Sequence, residues 1–297
     1  MRSGNFHFRR TRLAPTPSGF LHLGNALSFI LTVGIARRSG ASVLLRIDDL
    51  DRERVRMAYV EDIFDTLTFL GIQWDEGPRN VMEYRSGWSQ MDRLTGYEGL
   101  LAQLARQKAV FACSCKRTDS AGYSGTCRDL GIPLDTGGHG WRFSPSDMEH
   151  VPVRLIDGSV TQCSPDQSMN HAIIRRKDGL PSYQVASIFD DLHFGVDLVI
   201  RGEDLLPSTL FQIQLARCAG KMEFLDTSFL HHPLIRSTDQ TKLSKTAGDT
   251  SISGLRREGL DRLMVLRKLA DAAGIEGPYG SWEELFDPLY TLWVNQA

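Results

Sequence analysis

Arg12-Leu-Ala-Pro15-Thr16-Pro-Ser18-Gly19-Phe-Leu-His22-Leu-Gly24-Asn25 is the stretch of sequence that decides how the start of this chain folds. A strand-like segment over residues 10–14 leads into it, and its prolines and glycines interrupt regular structure. An apolar segment from Leu27 to Arg38 follows and is closed by Gly40, as is typical of a helix C-terminus. The stretch is therefore predicted to be a loop that joins a strand to a helix.

This loop carries His22 and Gly24 close to the start of the predicted helix. A helix N-terminus offers free backbone N–H groups and the positive end of the helix dipole, and both favour an anion. A glycine at this point lets a phosphate approach the backbone. We therefore expect the loop to bind phosphate, against the alternative of a proline-rich turn with an incidental histidine.

The same order of strand and helix recurs further along the chain. The run from Val43 to Ile47 predicts a second strand, and a helix that ends at Gly71 follows from apolar residues at helical spacing, namely Met57, Val60, Phe64 and Leu67. Strands that alternate with helices indicate a parallel sheet, whose ligands bind at the carboxyl ends of the strands. The loop at residues 15–25 would then face the ligand.

The pattern breaks between residues 108 and 170, where cysteine, glycine, proline and serine cluster. It returns with predicted strands at 171–174, 196–200 and 229–235 and a predicted helix at 207–218. We thus predict an α/β domain split by an insertion and followed by a short helical tail. The predicted segments are 1–107 (first half of the α/β domain), 108–170 (insertion), 171–249 (second half) and 250–297 (helical C-terminal segment).

The charge balance and the apolar stretches argue against a strongly basic nucleic-acid-binding protein and against a membrane-spanning protein. The chain has 297 residues, enough for about two domains, and its 34 Lys and Arg against 36 Asp and Glu give a net charge of −2. Without a global basic field, a nucleic acid would have to be held by a local patch. The longest uncharged apolar-leaning stretch, residues 26–36, has 11 residues, well below the ~20 that span a bilayer.

We do not expect the N-terminal arginines to introduce a signal peptide, because prolines and polar residues follow them and Arg37-Arg38 stands where small residues should sit. Five cysteines are an odd count, which suits a reducing compartment better than a disulfide framework. We therefore expect a cytoplasmic protein without membrane contact.

Three of the cysteines, Cys113, Cys115 and Cys127, lie within 15 residues of one another. Three thiolates at this spacing fit one zinc ion, which prefers four sulfur or nitrogen ligands. The alternative is three buried reduced thiols in a loop, although the glycine-rich surroundings offer little core. Cys163 and Cys218 are interpreted as ordinary core residues.

A second segment suited to phosphate is Lys242-Leu-Ser244-Lys245, which ends 223 positions after His22. Two lysines with a small hydroxyl between them can neutralise the charge that develops on a phosphate during transfer. Four polar residues on a loop are equally compatible with a solvated surface. The combination of both segments, in this order and on either side of a split parallel sheet, is much more specific than either one.

Taken together, these motifs resemble the class I aminoacyl-tRNA synthetases, and among them the glutamyl branch. The histidine and lysine segments resemble the two ATP signatures of that class. The branch is indicated by Arg12-x-Ala-Pro-Thr16-Pro-Ser-Gly, by Leu45-Arg46-Ile47-Asp48-Asp49-Leu-Asp51, by Arg175-Arg-Lys-Asp-Gly179-x-x-Ser-Tyr183 and by Val199-Ile-Arg201-Gly202-Glu203-Asp204. The resemblance implies a Rossmann-like parallel sheet split by a zinc-containing insertion.

The resemblance also implies roles for individual residues. His22, Gly24 and Lys245 would be catalytic, and ATP would be bound by His22, Gly24, Asn25, Lys242, Ser244 and Lys245. L-Glutamate would be bound by Arg12, Thr16, Asp48, Tyr183 and Arg201. An arginine fork suits a substrate carboxylate, and a carboxylate at position 48 suits the substrate α-ammonium group. Asp48 departs from the family, which usually has Glu there, so a water is expected to bridge the lost methylene.

For the insertion, the resemblance implies Tyr123 as the fourth zinc ligand beside Cys113, Cys115 and Cys127, with His139 or water as the alternative. The implied reaction activates L-glutamate with ATP and Mg²⁺ to glutamyl-adenylate, a step that does not need tRNA, and then transfers the glutamyl group to RNA.

The length after the lysine segment separates the options within the family. Because 297 − 245 = 52 residues follow Lys245, we expect no anticodon-binding domain. This short form resembles the subgroup that transfers glutamate to the queuosine base in the anticodon stem-loop of tRNA(Asp), and we expect a monomer. The alternatives are a truncated synthetase that charges a tRNA 3′ end and a non-catalytic, zinc-containing RNA-binding paralog.

Overall fold

The computed structural model describes residues 7–115, 123, 126–144, 150–165, 169–235 and 251–294. Within these ranges the strands are β1 (Arg10–Leu13), β2 (Ser42–Leu45), β3 (Val110–Cys113), β4 (Gly140–Phe143), β5 (Val151–Leu155), β6 (Val160–Cys163), β7 (Ile173–Arg175), β8 (Leu198–Gly202) and β9 (Ser228–His232). The α-helices are α1 (Leu23–Ser39), α2 (Met57–Leu70), α3 (Val81–Arg85), α4 (Leu94–Arg106), α5 (Tyr183–His193), α6 (Leu206–Cys218), α7 (Ile252–Arg257), α8 (Arg262–Ala273) and α9 (Trp282–Trp293).

The chain forms two compact units, which differ from the four segments predicted from sequence. The first comprises Met1–Ser89, Ile200–Glu203 and His231–Ala297, and the second comprises Gln90–Val199 and Asp204–Leu230. The four-segment division stays a prediction.

In the first unit, β1 and β2 pair in parallel, as the sequence predicts, with Arg10 opposite Ser42. The pairing continues past the strands, because the Asp48 amide donates to the Pro15 carbonyl at 2.9 Å. Helix α1 connects the two strands and is buried along most of its length, so the loop between β1 and α1 rests on a rigid base.

The C-termini of the helices agree with the sequence prediction more closely than their N-termini. Helices α1 and α2 end at Gly40 and Gly71, both of which adopt the left-handed conformation that favours glycine. The apolar segment begins at Leu27, whereas α1 itself begins four residues earlier, at Leu23 directly after His22. The reason is a side-chain cap from His22, which a search for apolar periodicity does not detect.

In the second unit, the prediction that the parallel sheet resumes at residues 171–174 is wrong. The segment predicted to resume the parallel sheet, β7, pairs antiparallel with β4 in a three-stranded sheet of order β3-β4-β7. Strand β5, which lies inside the predicted insertion, pairs in parallel with β9 and antiparallel with β6. Strand periodicity reports a half-buried strand, but it does not identify the partner strand.

Helices α4 and α5 of the second unit are joined by a buried ionic network. The Asp190 carboxylate is fully buried and accepts hydrogen bonds from Arg93 Nε at 2.7 Å, Tyr97 Oη at 2.9 Å and Gln90 Nε2 at 2.9 Å. Removing one member would leave a buried charge uncompensated. The network therefore fixes α5, whose first residue is Tyr183.

In the described part of the chain, no helix combines the length and the apolar character needed to cross a membrane.

Cys163 and Cys218 are half-buried, so their interpretation as core residues is wrong.

The contact between α1 and α9 generates a test of the packing. Gly34 of α1 faces the Phe286 ring, where an added β-carbon would lie 2.1 Å from Cδ2. Gly34→Ala should lower the free energy of unfolding by ~1–3 kcal/mol through overpacking, measured by chemical denaturation. The matched control is Gly99→Ala in α4, where a β-carbon meets nothing within 4 Å and should stabilise the protein by ~0.5–1 kcal/mol. Equal effects of the two substitutions would contradict this packing.

Candidate active site and cysteine cluster

His22 caps the N-terminus of α1 with its imidazole ring. Its Nδ1 accepts hydrogen bonds from the backbone amides of Gly24 at 3.1 Å and Asn25 at 3.4 Å. In return, the Asn25 side chain accepts the backbone N–H of His22 at 3.0 Å. This reciprocal arrangement is a capping box, which satisfies donors that the first turn of a helix otherwise leaves unpaired.

The cap corrects the prediction that the amide N–H groups at this turn are free for an anion. The amides of Gly24 and Asn25 already donate to the histidine ring. The need for glycine at position 24 also has a different cause, because an added β-carbon would lie 3.0 Å from His22 Cε1 and 3.1 Å from Nδ1. Gly24 thus makes room for the folded-back ring.

The cap fixes the chemical state of His22. A ring nitrogen that accepts hydrogen bonds carries no proton, so neutral His22 must be protonated on Nε2. Desolvation of the ring by neighbouring protein atoms lowers the pKa of His22, which keeps the imidazole neutral at physiological pH. His22 therefore offers a single N–H donor, at Nε2, beside the start of α1.

Both flanks of residues 236–250 lie against this His22 turn. On one side, Ile235 Cδ1 is 3.8 Å from the position of a Gly24 β-carbon. On the other, Ser251 bridges antiparallel to His22, and the Ile252 amide donates to the Leu21 carbonyl at 2.8 Å. Lys242, Ser244 and Lys245 themselves lie outside the described residues. Lys245 precedes Ser251 by six positions, which limits the distance between them to at most ~20 Å.

Three of the residues expected to bind glutamate lie on neighbouring segments of the first unit. Arg12 in β1 is buried, and its Nη1 donates to the carbonyl of Ile200 at 3.4 Å. Arg201 follows Ile200 in β8 and is also buried. Thr16 is exposed in the loop after β1. Burying a guanidinium group costs free energy unless the group binds an anion or pairs with another group of the protein.

Asp48 is already engaged by an arginine of its own strand end. Arg46 Nε and Nη2 donate to the two Asp48 oxygens at 2.7 and 3.0 Å, and the side chains are only 2% and 6% exposed. The two-residue spacing and the short Asp side chain permit this bidentate pair. A role for Asp48 toward the substrate α-ammonium group must therefore be shared with Arg46.

Tyr183, the remaining residue of the expected glutamate set, belongs to the second unit. It is the first residue of α5 and is 38% exposed, one of the more accessible aromatic residues of the described chain. Its role toward a ligand stays a prediction.

Sequence reasoning missed His231, a residue of β9 that belongs to the first unit. Burial, followed by the positive charges of Arg201 and His232, lowers the pKa of His231 to about 3. His231 is thus a neutral hydrogen-bonding group close to Arg201. A histidine in an apolar strand gives no sequence signal that would distinguish it from a core residue.

The three predicted zinc-ligand cysteines converge in the second unit. The sulfurs of Cys113, Cys115 and Cys127 all lie within 4.8 Å of one another, and those of Cys115 and Cys127 are 3.5 Å apart. Tyr123 Oη lies 3.5 Å from Cys113 Sγ and 4.0 Å from Cys115 Sγ. Donation from the Tyr123 hydroxyl is the main reason that the pKa of Cys127 falls to about 6, which favours a thiolate.

The alternative ligand, His139, bonds elsewhere. Its Nδ1 lies 2.9 Å from the Gly137 carbonyl, and among the described residues the group able to hold a metal contains the three cysteines without it. No sequence pattern singles out Arg142, which is buried beside the cluster. Arg142 Nε donates to Cys113 Sγ at 3.2 Å, and its guanidinium lies 4.0 Å from the centre of the Tyr123 ring.

Comparison with known proteins agrees with these motifs. The family model described as tRNA synthetases class I (E and Q), catalytic domain, matches residues 9–120 and 142–275. A glutamyl-Q tRNA(Asp) synthetase of Symbiobacterium thermophilum is 35% identical over 284 residues, which cover 89% of this chain and 86% of that protein. A second protein of the same name, from Parasynechococcus marenigrum, is 37% identical and is covered to 85%.

Longer relatives match equally well over part of their length. A glutamate–tRNA ligase of Anaeromyxobacter sp. is 35% identical, and the alignment covers 84% of this chain but 55% of the ligase. The chain thus spans about half of such ligases.

Among solved structures, the glutamate–tRNA synthetase of Elizabethkingia anophelis superposes with a TM-score of 0.72 at 22% identity, over 94% of this chain and 65% of that one. The α/β fold predicted from the sequence is confirmed as that of the class I synthetases, and so is the resemblance to their glutamyl branch. The chain belongs to the class I aminoacyl-tRNA synthetases for glutamate and glutamine, a family of ligases.

Proposed function

We propose that this protein, acting as a monomer, activates L-glutamate with ATP and transfers the glutamyl group to the queuosine base of tRNA(Asp). In the first step, an oxygen of the glutamate α-carboxylate bonds to the α-phosphorus of ATP. The bond from that phosphorus to pyrophosphate breaks, which leaves glutamyl-adenylate. In the second step, a hydroxyl of the acceptor bonds to the activated carbonyl carbon and releases AMP.

The observation that carries the first step is the His22 turn. Its capped geometry leaves Nε2–H as a preorganised donor for a phosphate oxygen, and preorganised donors are a major source of rate enhancement. The flanks of residues 236–250 lie at the same turn, which supports a role for Lys242, Ser244 and Lys245 at the same phosphates. Lys245 would oppose the charge on departing pyrophosphate.

The glutamate side of the site has charges of both signs. Arg12 and Arg201 suit substrate carboxylates, and the Arg46–Asp48 pair suits the α-ammonium group through Asp48. Thr16 of the first unit and Tyr183 of the second would each add a hydroxyl group. Mg²⁺ would enter with ATP and supply charge neutralisation between its phosphates.

The cysteine cluster is proposed to bind one zinc ion with Cys113, Cys115, Cys127 and Tyr123 as ligands. Sulfur separations of 3.5 Å and below 4.8 Å fit a tetrahedral site, in which Zn–S bonds are about 2.3 Å. The zinc ion would have a structural role, because it would cross-link the cysteines that follow β3. Arg142 offsets the negative charge that three thiolates carry.

The assignment of queuosine as acceptor is supported by the relatives named glutamyl-Q tRNA(Asp) synthetase, of which the chain covers 86% and 85%. Glutamate–tRNA ligases match at 35% identity, so charging of a tRNA 3′ end is the second candidate. Local basic residues such as Arg175-Arg176-Lys177 and Arg256-Arg257 would contact RNA phosphates in either case.

The first prediction separates capping from catalysis at position 22. His22→Asn keeps an N-cap acceptor but removes the imidazole N–H, whereas His22→Ala removes both and should also cost about 1 kcal/mol of stability. Both variants, and Lys245→Ala, should lower glutamate-dependent ATP–pyrophosphate exchange by roughly a hundredfold. The exposed Lys268→Ala is the control, with unchanged exchange expected. Normal exchange in His22→Asn would refute the phosphate role.

The second prediction concerns the acceptor. A short tRNA(Asp) stem-loop that carries queuosine should accept radiolabelled glutamate nearly as well as the whole tRNA, because a near-neutral chain is expected to have a compact RNA footprint. The same stem-loop with guanosine is the control and should accept none. Glutamate on the 3′-terminal adenosine of tRNA(Glu), abolished by periodate oxidation of that end, would favour the second candidate.

The third prediction concerns the metal. Elemental analysis should find one zinc per chain, which Cys115→Ser should lose. Arg142→Gln should weaken zinc binding by about 10–100-fold in competition with a chelator, as is usual for groups that contact ligands. Arg175→Gln is the matched control, since Arg175 also covers an aromatic ring, that of Trp141, in the same sheet. Equal losses in both arginine variants would disprove the specific role of Arg142.

A further inference from the structure

Asp62 is a buried carboxylate that the proposed reaction does not use. It lies in α2 and is 5% exposed, whereas the other acidic residues nearby on that helix, Glu61 and Asp65, are exposed. A buried carboxylate is costly unless hydrogen bonds compensate it, so its partners indicate its role. Burial is the main cause that raises the pKa of Asp62.

The partners of Asp62 come from two segments that are distant in sequence. Its Oδ2 accepts the backbone N–H of Leu21 at 2.9 Å, one residue before His22. Thr66 Oγ1 lies 3.5 Å from Oδ1. Hydrogen bonding by the side chain of Ser253, in the first turn of α7, also lowers the pKa of Asp62. Each of these bonds favours the ionised carboxylate, against the effect of burial.

Both backbone polar groups of Leu21, its N–H and its carbonyl, are hydrogen-bonded. Its N–H donates to Asp62, and its carbonyl accepts the Ile252 amide at 2.8 Å. Leu21 is 4% exposed, so water does not substitute for either partner. The direction in which the chain enters His22 is therefore set by Asp62 and by the start of α7.

We propose that Asp62 is a positioning residue that orients the imidazole of His22 by anchoring the Leu21 amide and Ser253. The inference deepens the proposed function and rests on the phosphate role of His22. Loss of the anchor lets the turn shift, and a displacement of about 1 Å at a reacting group costs as much as a hundredfold in rate. Because Asp62 is proposed to act only through the His22 turn, glutamate binding should not change.

The experiment compares Asp62→Ala, Asp62→Asn and the exposed control Glu61→Gln in the full-length protein. Asp62→Asn keeps an oxygen for the Leu21 N–H and an amide for Ser253. We expect Asp62→Ala to lower kcat of glutamate-dependent ATP–pyrophosphate exchange about tenfold or more, with KM for glutamate unchanged. Asp62→Asn should stay within about threefold of wild type, and Glu61→Gln should equal it.

A second readout measures the anchor without any activity. Amide hydrogen exchange at Leu21, Gly24 and Asn25 should accelerate in Asp62→Ala and stay protected in Asp62→Asn and Glu61→Gln. If the wild type lacks glutamate-dependent exchange, the proposed function fails, while the amide readout still decides on the anchor. If Asp62→Ala does not fold, Ser253→Ala should give a smaller acceleration of the same amides.

Unchanged amide protection in every folded variant would overturn the positioning role. So would a kcat of Asp62→Ala within twofold of the wild type, or equal losses in Asp62→Ala and Asp62→Asn.

Discussion

The hydrogen bonds from the Gly24 and Asn25 amides to His22 Nδ1 are the interaction on which the rest of the site depends. They bring the ring over the first turn of α1, where a β-carbon at position 24 would be in tight contact with it, 3.0 Å from His22 Cε1. They also determine the tautomer, since an accepting Nδ1 places the proton on Nε2. One local interaction thus sets where α1 begins, which residue stands at position 24 and which donor faces the solvent.

Burying charged groups around this turn costs stability, but these groups hold neighbouring segments of the chain in position. Because the folded-state pKa of Asp62 is raised, its ionised form costs stability at neutral pH. This cost begins to decrease as the pH falls through the folded-state pKa, and it vanishes only below the lower pKa of the unfolded chain. The Arg46–Asp48 pair is likewise almost fully buried, and such pairs are often no more stabilising than apolar residues of equal size. Asp62 holds the backbone just before α1, and the Arg46–Asp48 pair lies just after β2, at the strand end where the ligand of a parallel α/β sheet binds.

Local sequence signals predicted local structure and the candidate ligands. The helix ends at Gly40 and Gly71 and the grouping of Cys113, Cys115 and Cys127 follow from short-range patterns, and the structure confirms them. The cap by His22 was missed because histidine is not among the usual N-cap residues. Arg142, Asp62 and the antiparallel partner of β7 act over 29 or more residues, and no periodicity records contacts at such distances.

The state of the His22 ring in solution tests the central claim most directly. In ¹⁵N-histidine-labelled protein at pH 7, with the His22 signal identified by its loss in His22→Asn, Nδ1 should be an unprotonated acceptor and Nε2 should carry the proton. Addition of ATP should shift the Nε2 resonance and leave Nδ1 and the amides of Gly24 and Asn25 hydrogen-bonded. A proton on Nδ1, or a ring whose nitrogens do not respond to ATP, would contradict the account.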